Sequence, residues 1–338
     1  MPELGISRVV DEAALRAWQA VAVAAQDADF DALPADPYIE VLPMLSGRYG
    51  DEDVLLHLGT VGGAAVATSI SRLPVHDNSE VASVNLRVRP DCRSRGYGRA
   101  LLDAVLADLR AAGRRRVLFE IPTRALSADG SVDEPGEILA RSLGARRATL
   151  EQRRLLDLHN LDGERLRDEW RQAAAASVGY SPVTWVDVTP AELVDDLAVL
   201  LTAMSTDPPQ GELELEPERW SVERFRALEH SYLERRRTRL FAAVRHDASG
   251  ELVGFTDIGI PSGSTVAYQW DTIVRADHRG HRLGLVLKIA NLHQIRDRFP
   301  DVRYVNTWNA DENSHMIAVN EALGFRPMEG WSEWQLDL

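Results

Sequence analysis

Cysteine and lysine are all but missing from this chain: its 338 residues include one of each, Cys92 and Lys288. A single cysteine excludes an intrachain disulfide and any zinc site built on several thiolates, so no metal is expected. It fits a reducing compartment, and the cytoplasm is the expected location. The opening Met1-Pro2-Glu3-Leu4-Gly5 carries no basic segment followed by an apolar one, so no leader peptide is expected. Apolar runs never approach about 18 residues, the length a membrane helix needs. Positive charge is scarce too: 38 basic residues face 52 acidic ones, for a formal net charge of −14. Such a surface repels nucleic acid and anionic lipid and draws cations. Neither nucleic acid nor membrane is expected as a partner. Every basic residue except Lys288 is arginine, and alanine is abundant, which reads as the codon bias of a GC-rich genome.

Hydrophobic residues make up 45% and charged residues 27%, which excludes a disordered, collagen-like or membrane chain. The length suggests two domains. Self-similarity supplies the division. Leu86-Arg-Val-Arg-Pro-Asp-Cys-Arg93-Ser94-Arg95-Gly96-Tyr97-Gly98-Arg99 has a counterpart 186 positions on, in Thr272-Ile-Val274-Arg-Ala-Asp-His-Arg279-Gly280-His281-Arg282-Leu283-Gly284. Each is a strand pattern, an Arg/Gly loop and a helical pattern. The flanks repeat as well. Residues 13–29 and 191–204 read as helices; residues 53–58, 64–71, 240–245 and 252–260 read as strands. After the loop-helix come strands near 114–121 and 302–308, then helices ending in Leu143-Gly144 and Leu323-Gly324, where glycine suits the residue after a helix. Strands near 148–156 and 331–338 close the copies. The expected division is a first domain at 1–158, a helical linker at 159–181 and a second domain at 182–338.

Glycines bring backbone N–H groups close to a phosphate, and a helix N-terminus adds partial positive charge. The loop follows several strands rather than the first strand of a βαβ unit, which argues against a dinucleotide fold; no Gly-Lys-Ser/Thr exists for a Walker loop. The order β-α-α-β-β-β-loop-α-β-α-β, with Arg93-x-x-Gly96-x-Gly98 opening the third helix, resembles the GNAT acetyltransferase superfamily over nearly the whole chain, twice, as in mycothiol synthase. The resemblance implies an α+β fold: two tandem GNAT units, each a mixed, mostly antiparallel sheet flanked by helices. It implies acetyl-CoA as cosubstrate. Pyrophosphate would lie on Arg93, Ser94, Arg95, Gly96, Tyr97, Gly98 and Arg99 in the first copy, and on Arg279, Gly280, His281, Arg282, Leu283 and Gly284 in the second. Leu86, Val88, Thr272 and Val274 would flank the pantetheine arm. Arg282 departs from the glycine of the pattern and fits only if that position needs no positive φ.

The later half favours the second copy. By the resemblance Asn313 approaches CoA, while Asn320 stands where a tyrosine often protonates the leaving thiolate. The first copy has Asp133, Gly136 and Ala140 there. In that family the general base commonly lies four or six residues before the strand end, which the resemblance carries to Trp270 and Tyr268 in the second copy and to Val84 and Ala82 in the first. Only Tyr268 among these can move a proton. Asp271 has the wrong strand parity and reaches the same side only if a β-bulge intervenes. His278 and His281 are expected beside the CoA site, and Trp270 and Trp308 on neighbouring strands. Residues 207–216, Arg235 and Arg237 read as solvated surface, and Cys92 as incidental.

These readings converge on acetyl transfer from acetyl-CoA to an amine acceptor, with Tyr268, Asp271 and Asn320 as catalytic candidates in the second copy. The chain is expected to be a monomer of paired domains or a homodimer. Two alternatives stand: a CoA-binding sensor or scaffold without catalysis, and a protein or peptide acetyltransferase.

Overall fold

The computed structural model describes residues 3–124, 134–207 and 211–338. The chain divides into two compact units. Unit 1 holds Met1–Leu150, Gly211–Glu216 and Trp331–Leu338; unit 2 holds Glu151–Gln210 and Pro217–Gly330. Compactness thus divides the chain differently from chain order.

In chain order, unit 1 begins with β1 (Gly5–Arg8), α1 (Glu12–Asp29), α2 (Tyr38–Val41), β2 (Arg48–Tyr49), β3 (Glu52–Val61), β4 (Ala64–Pro74), β5 (Val81–Val88), α3 (Tyr97–Ala111), β6 (Arg116–Thr123) and α4 (Pro135–Ser142). Then comes β7 (Arg146–Asp157), whose last residues belong to unit 2. The Asp11 carboxylate caps the Ala14 amide at the start of α1. Helix α1 lays Leu15, Trp18 and Ala22 on Val54, Leu56 and Leu58 of the sheet. Leu101, Leu102, Val105, Leu106 and Leu109 of α3 cover the other face, a helical stripe at i, i+3 and i+4 spacing. Strand order is β1-β3-β4-β5-β6, completed by the end of β13 (Arg326–Asp337). Neighbours from β1 to β5 run antiparallel, and β5 and β6 run parallel. The final segment delivers Trp334 and Leu336 to the α3 core. Trp334 Nε1 donates to Ser332 Oγ, which donates to Ile121 O on β6.

Unit 2 repeats the plan with α5 (Gly163–Ala176), β8 (Tyr180–Val186), α6 (Val194–Met204), α7 (Val222–Glu234), β9 (Thr238–His246), β10 (Leu252–Ile260), β11 (Val266–Val274), α8 (Leu283–Arg298), β12 (Tyr304–Ala310) and α9 (Ser314–Leu323). Strand order is β8-β9-β10-β11-β12-β7, antiparallel except for the parallel pair β11 and β12. One face packs Leu240, Ala242, Val244, Ile258 and Ala267 against α8; the other packs Phe241, Ala243, Phe255 and Ile273 against α6 and Phe225 of α7. The segment expected to be a linker contains α5. It belongs to unit 2, where Leu166, Trp170 and Ala173 pack on the α8 cluster. Arg235 and Arg237 are not solvated: they are 2% and 4% exposed. Glycines after α4 and α9 take positive φ, +86° at Gly144 and +94° at Gly324. Among the described residues, no helix is long and apolar enough to cross a membrane.

The closing strand gives a direct test. Trp334→Ala should cost about 3–5 kcal/mol of stability by removing a buried indole. Limited proteolysis of that variant should open sites in Met1–Leu150 first, although the substitution lies at the far end of the chain. Cleavage beginning within residues 217–330 would contradict the placement of this strand in unit 1.

Candidate active site

The two Arg/Gly loops share one backbone shape. In the first, Ser94 and Gly96 take left-handed φ of +58° and +74°; in the second, Gly280 and Arg282 take +88° and +54°. Each loop therefore places one residue with a side chain in a region that favours glycine, at opposite positions. The expectation that Arg282 fits only where no positive φ is needed is overturned: the position takes φ +54° with arginine in it, so its backbone N–H keeps the place that Gly96 gives the first loop. Loop arginines tie each loop to its unit. Arg93 donates from Nε to Val88 O at 3.1 Å and from both terminal nitrogens to Asp29 at 2.7 Å. Arg279 likewise donates to Val274 O at 3.0 Å and to Asp207 at 2.7 Å. No side chain caps α3 or α8, so their first-turn N–H groups face the loops without a side-chain acceptor. Tyr97 and Leu283 are buried. Arg95 donates to Asp91 O, and Arg99 to Asp103 and Ser142.

The surroundings differ. In unit 2, α5 lies on the loop. Arg282 donates to Gln172 at 2.6 Å and to Glu169 at 2.8 Å, and His281 Nδ1 lies 3.3 Å from Ala176 O. Tyr180 OH lies 3.0 Å from His278 Nδ1, and the His281 ring packs on Tyr180 at 5.1 Å. Both histidines thus sit beside the loop, packed on β8.

The parallel strands part beyond the loops. β5 pairs with β6 only over Val81–Val84 but with β4 as far as Val88. β11 pairs with β12 only over Val266–Tyr268 but with β10 as far as Val274. Leu86, Val88, Thr272 and Val274 therefore border gaps where one strand edge has no partner strand. Gly98, at the head of α3, leaves room for Val88: a Cβ there would lie 3.4 Å from its side chain.

β11 contains a bulge. Thr256 opposes Thr272 and Ile258 opposes Gln269, so Asp257 faces two residues, Trp270 and Asp271. The cores on either side verify it. Ala267 packs with the α8 core and Ile273 with the α6 core, which unbroken alternation would not allow. Tyr268, Trp270 and Asp271 consequently share the α6 face, while Thr272 keeps the α8 face beside Thr256, their hydroxyls 2.7 Å apart.

Around Asp271 the structure assembles groups that sequence reading missed. Asp257 is fully buried and accepts from Arg239 Nε at 3.1 Å and Nη2 at 2.5 Å. Asp257 Oδ1 and Arg239 Nη1 are buried and lack a hydrogen-bond partner. Burial, then the Asp257 charge, pushes the Asp271 carboxyl from 3.8 up to about 7; Arg239 opposes this and Glu218 adds to it. Asp257, the one charged residue in the run of β10, was the available signal. Tyr268 is 7% exposed and stacked between Trp270 at 5.9 Å and Trp308 at 6.4 Å. Trp270 is 42% exposed at the end of this stack. Gly259 makes room for it: a Cβ there would fall 2.7 Å from the indole nitrogen.

Asn313 and Asn320 serve α9. Asn313 Oδ1 caps the Met316 amide at 3.2 Å. Asn320 is fully buried and donates to Asn309 Oδ1 at 2.6 Å, bracing α9 against β12 and leaving its own Oδ1 without a partner. Its amide nitrogen is thus committed within the fold. Asp133 lies outside the described residues. Among the described residues, no three His, Cys, Asp or Glu side chains are placed to hold a metal.

The model of the acetyltransferase (GNAT) family matches residues 18–126 and 205–325. A tandem GNAT protein from the clavulanic acid biosynthesis pathway, solved without acetyl-CoA, is similar at 27% identity and TM-score 0.81, over 99% of this chain and 98% of that one. A GCN5-related N-acetyltransferase from Sphaerobacter thermophilus shares the fold at 17% identity and TM-score 0.65, over 99% and 95% of the two chains. A putative acetyltransferase from Pyrococcus horikoshii does so at 11% and 0.56, over 99% and 89%. No curated protein matches.

The raised carboxyl has a consequence for stability. Folded chains hold the Asp271 proton more tightly than unfolded ones, so its contribution falls as pH climbs from 3.8 to about 7. Asp271→Asn should therefore be more stable than wild type in urea unfolding at pH 8, by about 1–3 kcal/mol, and little different at pH 4. An equal difference at both values would place the charge elsewhere.

Proposed function

The chain belongs to the acetyltransferase (GNAT) family, and from that premise we propose that it transfers acetyl from acetyl-CoA to an amine acceptor in unit 2. The observation that carries this reading is the β11 bulge. It turns Asp271 onto the α6 face, beside the gap between β11 and β12, with a carboxyl pushed up to about 7. A general base works best when its pKa lies near the operating pH.

The residues present fit an acyl-CoA. The uncapped first turn of α8 and the left-handed positions at Gly280 and Arg282 offer N–H groups to a pyrophosphate. The open edge of β11 at Thr272 and Val274 suits the amide arm. Bound there, acetyl-CoA supplies a thioester carbonyl and a thiolate leaving group. The chain does the rest. Asp271, ionised, takes the proton that a cationic amine must lose to become a nucleophile. The Tyr268, Trp270 and Trp308 stack walls the acceptor side and keeps water from it, and the −14 net charge draws amines in. Unit 1 supports a second, narrower reading, acyl-CoA held without transfer. Its loop has the same shape, but Ala82 and Val84 provide no proton acceptor.

Acetyl-CoA turnover against a panel of amines tests this. Asp271→Asn should lower kcat/KM by about 10²–10⁴-fold and abolish the rise in rate through about pH 7, with folding intact. Tyr268→Phe should cost less than tenfold if Tyr268 is a wall. Gly96→Trp and Gly98→Trp probe unit 1. If these alone stop turnover, the assignment of chemistry to unit 2 falls.

A further inference from the structure

Each Arg/Gly loop opens on an arginine whose charge is met by an aspartate from a distant part of the same unit. Arg93 holds Asp29, the last residue of α1 and 64 positions away, with both terminal nitrogens donating at 2.7 Å. Arg279 donates from Nη2 to Asp207, just past the end of α6 and 72 positions away, also at 2.7 Å. The Nε of each arginine donates to the carbonyl at the end of the open strand edge, Val88 O or Val274 O. Both ion pairs therefore stand at the mouth of the gap. Each joins the loop that leads into a helix on one face of the sheet to the end of the helix on the other face.

The neighbouring charges are engaged elsewhere. Glu169 holds Arg282, Glu251 and Asp277 hold Arg275, and Arg95 donates to Asp91 O. Among the described residues, Asp207 is the only carboxylate that Arg279 meets and Asp29 the only one that Arg93 meets. The four side chains are 31–51% exposed. Ion pairs so open to water and salt stabilise a fold little, whereas a guanidinium facing a phosphate gains parallel, charge-assisted bonds. The uncapped first turns of α3 and α8 begin four residues after these arginines, at Tyr97 and Leu283, so N–H groups and guanidinium serve one short segment. The grip differs between units: Arg93 gives its aspartate two nitrogens, and Arg279 gives its own one.

We propose that Asp207 and Asp29 are internal competitors for the cofactor: each holds its loop arginine until acyl-CoA binds, and then yields it to the pyrophosphate, which frees the end of α6 or α1 from the loop. The exchange costs one half-exposed ion pair and returns a guanidinium–phosphate contact. It deepens the proposed function and rests on acyl-CoA binding at these loops. An aspartate that braced the arginine for the cofactor would act in the opposite sense. The direction of one affinity change therefore separates competitor from brace.

Titration calorimetry of the full chain with acetyl-CoA makes the test, in a Gly98→Trp background that closes the loop of unit 1. Asp207→Asn, checked for folding by circular dichroism, should tighten acetyl-CoA about two- to fivefold. It should leave S-acetylpantetheine, which has no pyrophosphate, unchanged, and should have no effect once Arg279→Ala is also present. Asp29→Asn in a Gly284→Trp background should tighten unit 1 by a larger factor, since two bonds are released there. Weaker or unchanged acetyl-CoA binding in either aspartate variant, or tightening that persists with Arg279→Ala, would overturn the inference. Tighter binding with no transfer to any amine would support it and overturn the proposed function. Amine turnover with weaker binding in Asp207→Asn would do the reverse. Absence of acetyl-CoA binding would overturn both.

Discussion

One lapse of hydrogen bonding underlies the candidate site: β11 and β12 pair from Val266 to Tyr268 and then part. Parallel strands joined by a helix need a crossover, and α8 supplies it from the end of β11 to the start of β12. Where the strands diverge, the backbone of residues 269–274 keeps its bonds to β10 on one side and has no strand on the other. Backbone groups so placed must be met by something outside the sheet. The bulge at Trp270 and Asp271 lies in the same stretch. Parting and bulge together let one strand present an open edge to the α8 side and a carboxylate to the α6 side. Unit 1 has the parting at Val84, but no carboxylate at the matching place.

Much of this was legible in the residues. Helical stripes such as Leu101, Leu102, Val105 and Leu106, the paired Arg/Gly loops and the Leu-Gly helix ends placed the elements around both loops, because local periodicity and turn chemistry are written within a few positions; β1, α2, β2, β8 and α7 were given no range. The bulge could be named as a condition but not located, since it depends on how β10 and β11 register. The Arg239–Asp257 pair was invisible for the same reason: its members are 18 positions apart and meet only across β9 and β10. Arg235 and Arg237 look like surface by composition, and tertiary packing buries them. The strand that closes unit 1 could not be assigned by chain order, because Trp334 finds its core more than 200 positions from Leu109.

Two buried arginines of unit 2 are paired. Arg153, with no exposure, meets Glu329 at 2.6 Å and Asn306 at 2.6 Å. Arg239 meets Asp257. Desolvation makes such pairs weak as sources of stability, but removing one partner is severe. The pairs thus hold the strands in one arrangement. Asp271 differs: the influences on it include Asp257, a like charge, so the site resists its ionisation.

The two loops show where the copies have diverged. Both backbones take left-handed φ at the two matching positions, and the corresponding arginine, Arg93 or Arg279, closes each strand end. Selection on the backbone alone would leave glycine at all four positions, yet Ser94 and Arg282 occupy two. Arg282 has a visible reason. Its guanidinium binds Glu169 and Gln172 of α5, so the strain at φ +54° secures that helix against the loop. Ser94 has no such bond among the described residues. Each loop is fastened to a neighbouring helix by an arginine side chain: the first by Arg93, which holds Asp29 at the end of α1, and the second by Arg282, which holds Glu169 and Gln172 of α5. The copies therefore keep one loop shape and differ in which arginine and which helix secure it.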